Sequence, residues 1–95
     1  MGNYKEGVSP AARAMVKKIN EVGVKELLHY YDKYKPQTNF RRQLLIVRTV
    51  AQKGYATAGR ELGMSYQATM LALKRMYAIA LELEALNNGE INSTG

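Results

Sequence analysis

Residues 55–76, YATAGRELGMSYQATMLALKRM, carry constraints at fixed offsets that decide how this chain folds. Two helical patterns meet there, at Leu62-Gly63-Met64-Ser65. A helix-turn-helix needs a small residue where its second helix crosses the first. It also needs a turn residue that tolerates positive φ, and buried positions at helical spacing on the second helix. Gly59 is the small residue and Gly63 the turn residue, with Leu62 and Met64 beside it as apolar plugs. Ser65 is placed to cap the second helix, whose inner face carries Thr69, Ala72, Leu73 and Met76. A branched aliphatic residue is usual at the position of Thr69. Its γ-methyl can pack in that role while its hydroxyl bonds back to the preceding turn. The alternative for the segment is an αα-hairpin that serves only packing.

Outward from this segment the pattern stays helical. Ser9-Pro10 reads as N-cap and first helical residue, followed by Ala12, Met15, Val16 and Ile19 at helical spacing. Gly23 ends or bends this helix. Val24, Leu27, Leu28, Tyr31 and Tyr34 form the next apolar face, and Pro36 stops it. Thr38 is the next candidate cap. Phe40, Leu44, Val47 and Ala51 then make one face, broadened by Leu45, Ile46 and Val50, with Gly54 as a left-handed C-cap. Thr57 is placed to cap a short helix ending near Leu62. A longer helix runs over 66–86, and Asn87-Asn88-Gly89 is the expected stop. Nothing alternates with period two long enough for a strand. The expected fold class is therefore all-α: a small domain of four to five helices over 10–88, containing a helix-turn-helix over 55–76 and no wing. Residues 1–9 are expected to be a flexible arm and 89–95 a disordered tail.

Charge singles out the same region. Of 14 Lys and Arg, Arg41, Arg42, Arg48, Lys53, Arg60, Lys74 and Arg75 lie between 41 and 75, where the only acid is Glu61. The rest of the chain is balanced, so the formal net charge of +6 resides here. A basic stripe of this kind attracts phosphate backbones. With no cysteine, disulfides, thiolate metal sites and a cysteine nucleophile are excluded. The first 20 residues lack an unbroken apolar run, and the longest apolar block, Met76 to Leu81, is 6 residues. No leader, no membrane span and a cytoplasmic location, nucleoid-associated when bound, are therefore expected. His29, the sole histidine, lies between Leu28 and Tyr30 and reads as a packed helix residue. No phosphate-binding glycine loop or clustered metal ligands occur, so neither enzymatic activity nor a cofactor, metal or small-molecule ligand is expected.

The segment from Arg42 to Met76 resembles the helix-turn-helix of KorA/TrfB-type plasmid repressors. The likeness is clearest at Leu62-Gly63-Met64-Ser65 and at Ala72-Leu73-Lys74-Arg75-Met76-Tyr77. Gly63-Met64-Ser65-Tyr66 is also similar to the start of the recognition helix in molybdate-responsive ModE regulators, though the wing of that architecture has no counterpart here. These resemblances imply a DNA-binding regulator and cover about a third of the chain.

In such a motif the N-terminal half of the second helix enters the major groove. Tyr66, Gln67, Met70, Leu71 and Lys74 then face outward, with Gln67 as first choice for a bidentate contact to adenine. Ser65 and Thr57, at helix N-termini, suit phosphate oxygens. Arg60, Lys74 and Arg75 suit phosphates or guanine, and Arg41, Arg42 and Lys53 suit the backbone. The last helix carries a second apolar stripe of Tyr66, Met70, Tyr77 and Leu81, roughly 100° round from the core stripe. Since a helix apolar on most sides is normally buried on most sides, this predicts a homodimer through Tyr77 and Leu81. The alternative is that the N-terminal helices cover the stripe within one chain. The leading functional expectation is a sequence-specific regulator of phage, plasmid or bacterial type that binds double-stranded DNA, most simply a repressor. A DNA-packaging adaptor resembling small terminase subunits and a protein-interaction module such as an antirepressor are the alternatives.

Overall fold

The computed structural model describes residues 8–94, with side chains as far as Asn88. Among these residues are five helices: α1 (Pro10–Val22), α2 (Val24–Tyr34), α3 (Phe40–Lys53), α4 (Tyr55–Leu62) and α5 (Tyr66–Thr94). No strand is present among them, and the all-α expectation holds. None of the helices is long and apolar enough to cross a membrane.

The helix boundaries follow from caps and glycines. Ser9 Oγ accepts the Ala12 N–H at 3.1 Å, and Pro10 opens α1. Val8 is buried in the core, so 8 and 9 are not part of a flexible arm. The remainder of that arm, 1–7, lies outside the described residues, as does residue 95 of the expected tail. Gly23, at φ 99°, separates α1 from α2 as two helices. The cap of α3 is Asn39 and not Thr38: Asn39 Oδ1 accepts the Arg42 N–H at 3.0 Å. The Thr38 N–H instead donates to Lys35 O at 3.0 Å, inside the turn that leaves α2.

Gly54 has the expected positive φ of 87° but an extended ψ of 170°, not the left-handed conformation. The reason is its double duty. Its N–H closes α3 on Val50 O, and it is also the residue before α4, where extended ψ is the rule. That places Thr57 inside the first turn of α4 and leaves it no capping role. At the other end, α5 runs through Asn87-Asn88-Gly89 to Thr94. Glycine in a helix interior costs only about 1 kcal/mol relative to alanine, and no proline follows to forbid the helical backbone.

α5 is the spine of the fold and packs on all four other helices, most extensively on α1. Thr69, Ala72, Leu73, Met76, Ile79 and Ala80 form its buried stripe. Against it lie Ala12 and Ile19 of α1, Leu27 and Tyr31 of α2, Phe40, Ile46, Val47 and Val50 of α3, and Tyr55 and Ala58 of α4. Lys18 Nζ reaches Glu84 at 2.8 Å and ties α1 to the C-terminal half of α5. The molecule measures 46 × 35 × 19 Å. A helix with side chains is about 10–12 Å across, so the fold is two helices deep. Each helix therefore keeps one side in water. Val24, Leu28, Tyr34 and Leu45 are exposed, although periodicity groups them with buried neighbours.

The two candidate caps of α3 are separable by substitution. Asn39→Ala is expected to lower the free energy of unfolding by about 1 kcal/mol. Thr38→Ala is expected to cost well under half of that. Urea unfolding followed by far-UV circular dichroism makes the comparison, and an equal loss for both would contradict the assignment.

Candidate nucleic-acid interface

α4 and α5 are joined by the short turn Gly63-Met64-Ser65. Gly63 is left-handed, at φ 68° and ψ 36°. Gly59 O accepts two N–H groups beyond the end of the helix, from Gly63 and, at 2.8 Å, from Met64. This satisfies a carbonyl that the helix end would otherwise leave without a partner. The chain then passes directly over Gly59: a Cβ built there would sit 2.6 Å from Met64 O. No side chain fits in that gap. Around the turn, Leu62 and Met64 are half-buried against the core, as expected of apolar plugs. Ser65 Oγ accepts the Ala68 N–H at 3.0 Å and caps α5.

Thr69 is fully buried one turn into α5. Its hydroxyl lies 2.7 Å from Tyr66 O, 3.3 Å from Ser65 O and 3.4 Å from Tyr55 O. The shortest, to Tyr66 O, is the expected bond back to the preceding turn, with Ser65 O as the alternative acceptor there. The third, at the start of α4, is at the limit of hydrogen-bond distance, and since the hydroxyl has one proton to donate, the contact across the two helices is chiefly packing. The ring of Tyr66 packs edge-on against that of Tyr55 at 5.4 Å. Burial first, and then the neighbouring Tyr66, pushes the Tyr55 phenol up, so it stays neutral at physiological pH.

With its inner side held, α5 presents an outer face. Gln67, Met70, Leu71 and Lys74 recur at helical spacing on this face. Gln67 and Lys74 are exposed, Leu71 is 46% exposed, and Met70 is half-buried against the core rather than fully outward. Tyr66 is 53% exposed. Arg75 departs from the expected set, because it falls about 90° round the helix from this face. It lines a cavity with Lys35 and Gln43 instead.

The flanking cations divide into two groups. Arg41 and Arg60 are exposed, and Arg60 Nη2 lies 3.4 Å from Thr57 Oγ1. Arg42 is committed to structure: its Nη2 donates to Leu62 O at 3.0 Å and braces the end of α4. Lys53 is paired with Glu61, the single acid of the basic region, at 2.8 and 2.9 Å. Neither commitment is readable from spacing, because each joins residues on different helices. In the second stripe, Met70 and Tyr77 are half-buried against their own chain. Leu81, at 38% exposed, and Leu86, at 56%, are the large apolar side chains left open on the C-terminal half of α5 among the described residues.

The crossing at Gly59 and the conformation at Gly63 respond differently to a methyl group. Gly63→Ala meets no neighbouring atom but must hold a left-handed backbone, at about 1–2 kcal/mol. Gly59→Ala gains helix propensity yet drives a methyl into a backbone carbonyl, with an expected net loss of about 2–3 kcal/mol. Chemical denaturation of the two variants should rank Gly59→Ala as the worse, and a stabilised Gly59→Ala would refute the close crossing. Comparison with family models, with curated proteins and with solved structures finds no match to this chain.

Proposed function

We propose that the chain binds double-stranded DNA through the N-terminal turns of α5, with α4 and α5 acting as a helix-turn-helix. One observation carries this reading. The outer face of α5 holds the side chains of Gln67 and Lys74, exposed and without hydrogen bonds to the described residues, while its inner face is fixed by the burial of Thr69 and by the crossing at Gly59. A rigid helix with an exposed polar face and a surplus of nearby cations suits entry into the major groove. Gln67 is the base reader, and Lys74, Ser65, Arg60 and Arg41 engage phosphates. Arg42 serves chiefly to hold α3 against α4, and the charge that Lys53 offers DNA is offset by its pairing with Glu61.

Occlusion of a promoter is the simplest mode of action for such a domain. The protein is then a cytoplasmic repressor of the kind the resemblance implies. Pairing of two copies through the C-terminal part of α5, at Leu81 and Leu86, would present two such helices to half-sites about one helical turn of DNA apart. Selection from random duplexes, read by sequencing, tests the whole reading: an enriched palindrome supports a dimeric regulator, and no enriched site contradicts sequence-specific binding. Leu71, in the middle of the outer face, favours a protein partner as the second reading. Binding to protein but not to DNA, with little salt dependence, is its signature.

Three substitutions separate the roles. Gln67→Ala is expected to cost about 1–3 kcal/mol on the selected site and much less on random DNA. Lys74→Ala should weaken both alike and reduce the slope of log affinity against log salt by about one. Glu61→Gln releases Lys53 and should tighten binding to all duplexes while changing stability by no more than about 1 kcal/mol. Fluorescence anisotropy at several salt concentrations reads all three, and equal losses for Gln67→Ala on both DNAs would remove its role as a reader.

A further inference from the structure

Beside the outer face of α5, the end of α2, the start of α3 and the middle of α5 surround a cavity of about 340 Å³. Two cations line it, Lys35 from the C-terminal end of α2 and Arg75 from α5. No acid is among its lining residues, and among the described residues neither cation forms an ion pair. Like charges around a common space repel, and an anion placed between them converts that repulsion into attraction. Both cations stand on fixed backbone. Lys35 is held by its N–H on Tyr31 O at 2.8 Å and by its own carbonyl, which accepts the Thr38 N–H at 3.0 Å. Arg75 lies within the packed length of α5.

The remaining lining residues define what the anion is attached to. Thr38 and Gln43 add neutral donors, and the buried ring of Tyr31 with Ala78 and Ile79 supplies an apolar wall. The volume falls at the lower end of the range for small-molecule sites, about 300–1,000 Å³, and exceeds what a bare oxyanion fills. Arg recognises tetrahedral and planar oxyanions through paired N–H groups, and Lys adds a point charge. We propose that this cavity binds a phosphate group carrying a small flat or aliphatic body, held between Lys35 and Arg75 with its carbon part on Tyr31 and Ile79. The phosphate comes either from a free ester or from a nucleic-acid backbone.

Titration of the ¹⁵N-labelled full chain with phenyl phosphate, followed by NMR, tests this without DNA. Saturable shifts at Lys35, Thr38, Gln43 and Arg75 are expected. Arg75→Gln and Lys35→Gln should each weaken binding about tenfold, the loss of one charge-assisted hydrogen bond. Lys25→Gln removes the same charge from an exposed position elsewhere on α2 and should leave affinity unchanged. Inorganic phosphate should bind at the same residues but more weakly, lacking the body. Each variant is checked for native helical signal, and if one of the pair is misfolded the other carries the test. Adding duplex DNA at saturating phenyl phosphate separates the sources: displacement identifies the backbone, and simultaneous binding identifies a free ester. Shifts centred on Ser65 to Gln67, or a Lys25→Gln loss as large as that of Arg75→Gln, would overturn the proposal. Failure here leaves duplex selection through Gln67 unaffected, and failure of that selection leaves the phenyl phosphate titration standing.

Discussion

The fold depends on one close approach between two pieces of backbone. Met64 O passes so near Gly59 that a single methyl group would collide with it. Because the gap is closed, the turn can be short, and because the turn is short, α5 leaves α4 in one direction only. Thr69, fully buried one turn into α5, packs against the start of α4 from the other side. The residue that departs from the usual aliphatic pattern thus packs at the crossing as an aliphatic one would, while its hydroxyl is satisfied within its own helix.

The same geometry sorts the basic residues. Local net charge makes every Lys and Arg between 41 and 75 look equivalent. Their positions in space make them unequal: one braces the end of a helix, one is neutralised by the only nearby acid, and one turns toward a cavity. What remains exposed around the outer face of α5 is a smaller set. Exposed ion pairs add little to stability, so the pairing of Lys53 with Glu61 matters more for the surface potential than for the fold.

Much of this was legible along the chain where the determinants are local. Gly59, Gly63 and Ser65 act on residues a few positions away, so fixed offsets announce them. The apolar periodicity of α5 likewise shows its inner stripe. Three things were not legible. Gly54 caps two helices at once, and nothing in the sequence says that a positive-φ glycine will take an extended ψ and start α4 before Thr57. Periodicity gives a helix face but not how much of it finds a partner, which in a fold two helices deep leaves Leu28 and Leu45 in water. Finally, Arg42 and Lys53 are placed by partners on another helix, information that exists only after the chain has folded.

From Tyr66 to Asn88, α5 contains neither glycine nor proline, and sharp bends in helices arise mainly at such residues. Its 29 residues make a rod of about 43 Å at a rise of 1.5 Å per residue, close to the longest dimension of the molecule. Such a rod transmits torque. A partner that gripped it at Leu81 and Leu86 would also set the pitch and heading of Gln67, several turns away, with no glycine or proline between them to absorb the twist. An event at the C-terminal end would therefore register at the N-terminal face as a change of aim, not of local shape.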